Sequence, residues 1–138
     1  MTANFRIKEP NIILIIILCL LLVMIGQKLF GQTPEKEFLA SINSYRAKHL
    51  APKLEYREEN QELLTAVARA NEKNYCHCHS GYYKEEIITK TITTENAMES
   101  FMYSRPHKRS MLKRSHRRAT VGMYQAEKYL YVVVRFYN

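Results

Sequence analysis

Residues 12–25 form an unbroken run of 14 apolar side chains, IILIIILCLLLVMI, and no charge stands between Glu9 and Lys28. As a helix this run would be about 21 Å long, short of a hydrocarbon core of ~30 Å. It is apolar on every face, so it does not read as the amphipathic wall of a soluble core. Arg6 and Lys8 precede it, which supplies the charged and apolar regions of a secretory signal. Two readings stay open: cleavage after Gly31, or an uncleaved signal anchor that holds the chain in a membrane through residues 12–25 with Lys28 at the far interface. Both place the remainder of the chain outside the cell or in the cell envelope. Residues 1–31 are therefore set apart as signal peptide or anchor, and residues 32–138 are read as one folded domain.

That domain has 107 residues, with 18 Lys and Arg against 12 Glu. A chain of this size buries roughly two thirds of its unfolded surface, enough for one core without covalent staples. Only Cys76 and Cys78 remain in it, so disulfides are not its framework. All 13 acids of the full chain are Glu. The absence of Asp removes an Asp nucleophile and the Asp-rich calcium loop, and four Gly leave little for a phosphate cradle.

The domain reads as a helical half followed by a strand half. Thr33, Pro34, Glu35 and Glu37 open a helix by capping, ring geometry and charge on the positive dipole end. Phe38, Leu39, Ile42 and Tyr45 then recur at helical spacing up to about Lys48. A second helix is predicted over residues 58–74, with Leu63, Leu64, Val67, Ala68 and Ala70 facing inward. CHCHSGYY is a loop by its Ser-Gly turn signal. Residues 87–94 are rich in β-branched side chains and read as a strand. A short helical stretch between residues 100 and 111 is expected to be broken by Pro106. The end reads as a hairpin, 119–124 with 129–137. Its second strand carries Val132, Val133 and Val134 consecutively, the mark of a strand covered on both faces.

In order along the chain stand Leu39-x-x-Ile42-Asn43-x-x-Arg46, Leu54, Leu63-x-x-Ala66, Ala68-x-Ala70, His79-Ser80, Glu95-Asn96, Ser104-Arg105-Pro106-His107-Lys108, Met111-Leu112 and Val121-Gly122-Met123, ahead of an apolar last strand. This set resembles the CAP superfamily, the SCP-like domain of cysteine-rich secretory, antigen 5 and pathogenesis-related proteins, and most resembles its compact bacterial members. The resemblance covers residues 38–138 and implies an α+β fold: an α-β-α sandwich around a small antiparallel sheet. It implies lipid or sterol binding, and divalent metal in some members. It maps the two cleft histidines to His79 and His107 and the first cleft glutamate to Glu95. The second family glutamate has only Glu99 as a doubtful match, because just four residues separate Glu95-Asn96 from Phe101, where the family places a loop and a helix. His49 stands where a Gly usually ends the first helix.

Two neutral imidazoles can bind Zn²⁺ with positions left open to water, which a Glu can orient. The same three groups can instead form a metal-free polar network. Ser80 adjoins His79 in sequence, a spacing that rarely aims one side chain at the other, so no nucleophile is indicated. Cys76, His77 and Cys78 are a second set of soft ligands, read either as a metal site, as a small-ring disulfide or as free loop residues. Arg105, Lys108, Arg109, Lys113, Arg114, Arg117 and Arg118 crowd into fourteen residues without an acid. They are read as a solvated basic face or as a surface for anionic lipid or glycan; nucleic acid fits least in an exported domain. The leading expectation is an exported or membrane-anchored binding module whose groove takes a lipid, glycan or peptide. The alternative is a metal-dependent hydrolase built from the same residues.

Overall fold

The computed structural model describes residues 15–20, 32–74, 78–80 and 85–138. The chain divides into two units, Met1–Gln32 and Thr33–Asn138. In the first, residues 15–20 are helical with exposed side chains. The rest of the expected signal or anchor lies outside the described residues. Among the described residues no helix is long and apolar enough to cross a membrane.

The second unit opens with α1 (Pro34–Lys48), whose N-cap Thr33 accepts from the Lys36 amide as its sequence predicts. His49 does not take the left-handed position at its end. Leu50 does, with φ 55°, and its neighbour's amide, that of Ala51, bonds the Arg46 carbonyl at 2.9 Å. The cap is thus moved one residue along, and the exposed Leu50 carries the strain a Gly would avoid. A two-residue strand, β1 (Glu55–Tyr56), comes next; nothing in the sequence announced it.

The next helix, α2 (Gln61–Lys73), starts three residues later than expected, after Asn60 at φ 70°. Its buried stripe is Leu64, Ala68 and Asn71, whereas Leu63 and Ala70 are exposed. The inward face is therefore turned from the one expected, because the i, i+4, i+7 line runs from Leu64 and not from Leu63. After β2 (Glu86–Thr91) come α3 (Thr94–Tyr103) and α4 (Arg105–Leu112), then β3 (Arg118–Gln125) and β4 (Leu130–Tyr137).

Two expectations are corrected in this stretch. Residues 94–103 are helical, not strand end plus a truncated interval, because Thr93 turns its hydroxyl to the Asn96 amide and caps α3. Pro106 stands in the first turn of α4, where its missing N–H costs nothing, so it starts that helix.

The sheet has the order β1-β3-β4-β2. The β3–β4 and β2–β4 pairs are antiparallel, while β1 runs parallel to β3, so the sheet is mixed and not wholly antiparallel. β4 lies inside the sheet with both faces covered, as its valine triplet indicates: Val132 and Val134 join one core cluster and Val133 the other. The larger cluster takes in Phe38, Leu39, Ile42, Ala97, Phe101 and Met111 from α1, α3 and α4. The smaller takes in Leu64 and Ala68 from α2. The result is an α-β-α sandwich. Gly122 sets the depth of α2 in it: a Cβ on Gly122 would stand 2.3 Å from the Leu64 carbonyl carbon.

Candidate functional site

The motif around α1 has a structural use. The Asn43 side chain accepts from the Leu54 amide at 2.8 Å and donates to its carbonyl at 2.9 Å, tying the chain after α1 to the helix. Arg46, fully buried, donates to the carbonyls of Pro52 (2.8 Å), Met111, Lys113 (3.2 Å) and His116 (3.4 Å). Burial and the neighbouring Arg117 charge push its pKa below the usual arginine range. One guanidinium thus anchors the whole turn between α4 and β3.

Inside that turn His116 is also fully buried. Its ring lies stacked on Phe136 at 5.1 Å, Nδ1 is 3.1 Å from the Ser110 carbonyl, and Nε2 is 3.3 Å from a Glu85 carboxylate oxygen. Burial lowers its pKa; Glu85 acts in the opposite direction, and Lys113, itself paired with Glu85, lowers it again.

The polar cluster of greatest chemical interest is built on the β2–β4 pair. Glu86 and Arg135 are direct register partners, both with buried side chains. Arg135 Nε and Nη2 donate to Glu86 Oε2 at 3.2 and 2.9 Å. Ser80 spans the pair: its amide donates to Glu86 Oε1 (3.1 Å), its hydroxyl donates to Oε2 (2.9 Å), and that hydroxyl accepts from Arg135 Nη2 (2.7 Å). His79 rests on top, Nδ1 3.4 Å from Glu86 Oε1, with about half of its side chain open to solvent.

The sequence-predicted residues are distributed as follows. His79 meets an acid, but that acid is Glu86 and not Glu95. Glu95 is exposed in the first turn of α3, where its own backbone amide and then the Thr93 hydroxyl hold its carboxyl below the usual range. Glu95 and Glu99 share a shallow groove of about 250 Å³ with Ser41, Thr94, Met98 and Met102, and neither histidine lines it. His107 packs edge-on against the core ring of Phe101, centroids 5.4 Å apart. Cys78 is disulfide-bonded, which removes its thiolate from any ligand set, and its amide donates to Asn71 Oδ1 at 3.1 Å. Cys76 and His77 lie outside the described residues. Arg105, Lys108, Arg109, Lys113, Arg114, Arg117 and Arg118 are all exposed. Among the described residues no three His, Cys or Glu side chains converge to hold a metal ion, so His79, Glu95 and His107 as placed do not form a ligand set for the divalent metal that the resemblance implies in some members. Glu86 and Arg135 were not singled out from the sequence, and Ser80 was weighed there only as a nucleophile. The signal was present: an Arg inside an otherwise apolar strand requires a buried acid opposite it.

No family model matches the chain. No curated protein matches it. Solved structures do. An outer surface protein of Borrelia burgdorferi superposes with a TM-score of 0.61 at 16% identity, covering 73% of this chain and 90% of that one. The protein MpPR-1i gives 0.57 at 15% identity, covering 72% and 83%. An extracellular SCP-domain protein of Bacillus anthracis gives 0.56 at 11% identity over 73% of this chain, which spans 39% of that protein. At such identities the likeness concerns the backbone, and it shows a CAP-like fold.

Proposed function

We propose that this chain, with its CAP-like fold, is an exported binding module, and that the surface around His79 is where its lipid, glycan or peptide ligand is held. Export rests on the apolar run of residues 12–25 behind Arg6 and Lys8, and it accords with structural neighbours described as an outer surface protein and an extracellular protein.

The observation that carries the reading is the saturation of the Glu86 carboxylate. It accepts from Arg135 twice and from Ser80 twice, so its oxygens are committed to partners within the fold. The Ser80 hydroxyl spends its proton on Glu86 and a lone pair on Arg135, which leaves it unactivated as a nucleophile. What the cluster offers to solvent is one imidazole held on a buried ion pair, a preorganised hydrogen-bonding point suited to orienting a ligand. The hydrolase reading lacks both an activated nucleophile and a metal ligand set among the described residues.

The test is equilibrium binding of fatty acid, sterol, oligosaccharide and peptide panels to wild type and to His79→Ala, with thermal melting as the fold control. Binding lost in His79→Ala at unchanged melting temperature supports the module. Multiple turnover of any panel member, lost in the same variant, would replace it with a hydrolase.

A further inference from the structure

The basic run of residues 105–118 is not one surface. Four of its seven cations are committed within the fold. Lys113 pairs with Glu85, Arg114 donates to the Leu50 carbonyl, Arg117 to the carbonyls of Arg114 and His116, and Arg118 to that of Asn138. Arg105, Lys108 and Arg109 are different: their side chains have no hydrogen-bond or ion-pair partner among the described residues, and all three are exposed. Their i, i+3, i+4 spacing puts them on one face of α4. With Leu112 and Lys113 they line an open groove of about 490 Å³. Tyr103, 86% exposed, stands two residues ahead of this face.

We propose that this face of α4 docks on an anionic phospholipid surface. The charge is complementary, and nothing within the described fold neutralises it. The size selects the partner: from Arg105 to Arg109 the helix advances only about 6 Å, a footprint of one or two headgroups, whereas nucleic acid is held by cations spread along several phosphates. The composition selects it too. A leucine among the cations of the groove, with an exposed tyrosine two residues before the helix, is the mix of side chains that settles at a headgroup boundary, apolar parts entering while the charges stay with the phosphates. This surface uses none of the residues of the His79 cluster, so it stands or falls separately from the binding reading above.

The experiment is sedimentation of the full chain with phosphatidylcholine vesicles made with and without phosphatidylglycerol. The ratio of the two affinities is the readout, because any contribution of the apolar N-terminal run enters both. Each free cation near an anionic surface is expected to contribute roughly fivefold and the three together about a hundredfold. The triple variant Arg105→Gln/Lys108→Gln/Arg109→Gln should lower the ratio about a hundredfold at unchanged melting temperature, and added salt should lower it in wild type. Arg118→Gln, which removes a committed cation, should leave the ratio little changed. Three results would overturn the proposal: a triple variant that keeps the wild-type preference, an Arg118→Gln loss as large as that of the triple variant, or wild-type binding to heparin or duplex DNA with no preference for the anionic vesicles.

Discussion

Arg135 and Glu86 face each other across the β4–β2 register at 2.9 Å, and neither side chain reaches solvent. Removing one partner strands the other charge in the interior. Glu86→Ala is expected to lower unfolding stability by about 3–5 kcal/mol, and the paired change Glu86→Leu/Arg135→Met to recover much of that loss. Urea unfolding of the three chains measures it; equal losses in single and double variants would mean that the ion pair is not what the site depends on.

Arg46 predicts a loss that charge alone does not repair. Its planar fork reaches four carbonyls on two separate segments, which an ammonium group cannot span. Arg46→Lys should cost about 3 kcal/mol, from carbonyls left buried without donors. Amide exchange should quicken in residues 111–116 and little elsewhere. A uniform change across the unit would contradict the assigned anchor.

Gly122→Ala should destabilise by roughly 1–3 kcal/mol, since the added methyl meets the backbone of α2. Because the obstacle is the Leu64 carbonyl carbon and the Thr65 amide, shortening the side chain by Leu64→Ala should not rescue it. Rescue in thermal melts of the double variant would show that the two elements meet through side chains instead.

His116 should make stability fall on acidification. Burial lowers its folded pKa below the ordinary 6.5, so near that pH the unfolded chain binds more protons than the folded one. The contribution is complete above pH 6.5 and is lost as the pH drops through that value toward the lowered folded pKa. Glu85 opposes the effect, while Lys113 and Arg46 reinforce it. His116→Gln should be less stable at neutral pH, and its urea midpoint should lose this part of the pH dependence. An unchanged slope in the variant would assign it to other groups.

The sequence was most legible where local chemistry decides. Thr33 and Pro34 start α1 as their types require, and Val132 to Val134 mark an interior strand. It was less legible where a tertiary partner decides. Thr93 stands after a β-branched strand, and its hydroxyl on the Asn96 amide caps the helix whose first turn takes in Glu95. Likewise β1 is two residues long and is held by β3 from far along the chain, so no local pattern encodes it. In the site, His79 was readable as a motif residue. Its acid was not, because Glu86 is defined by facing Arg135 across two strands, a relation of register that spacing along the chain does not express.

The place of β4 between β3 and β2 also governs the order in which the molecule can be made. Among the described strands β2 is bonded to β4 alone, and β4 is the last of the four in chain order, so these strands stay in two unjoined parts until it is made. The helices on the larger core face have only half a floor in that interval, and the Arg135 that neutralises Glu86 has not yet arrived. Closure is therefore a late, long-range event. Until its final pairing a nascent chain of this kind exposes apolar strand faces and leaves Glu86 without its partner, which is when dependence on a chaperone or a holding membrane surface is greatest.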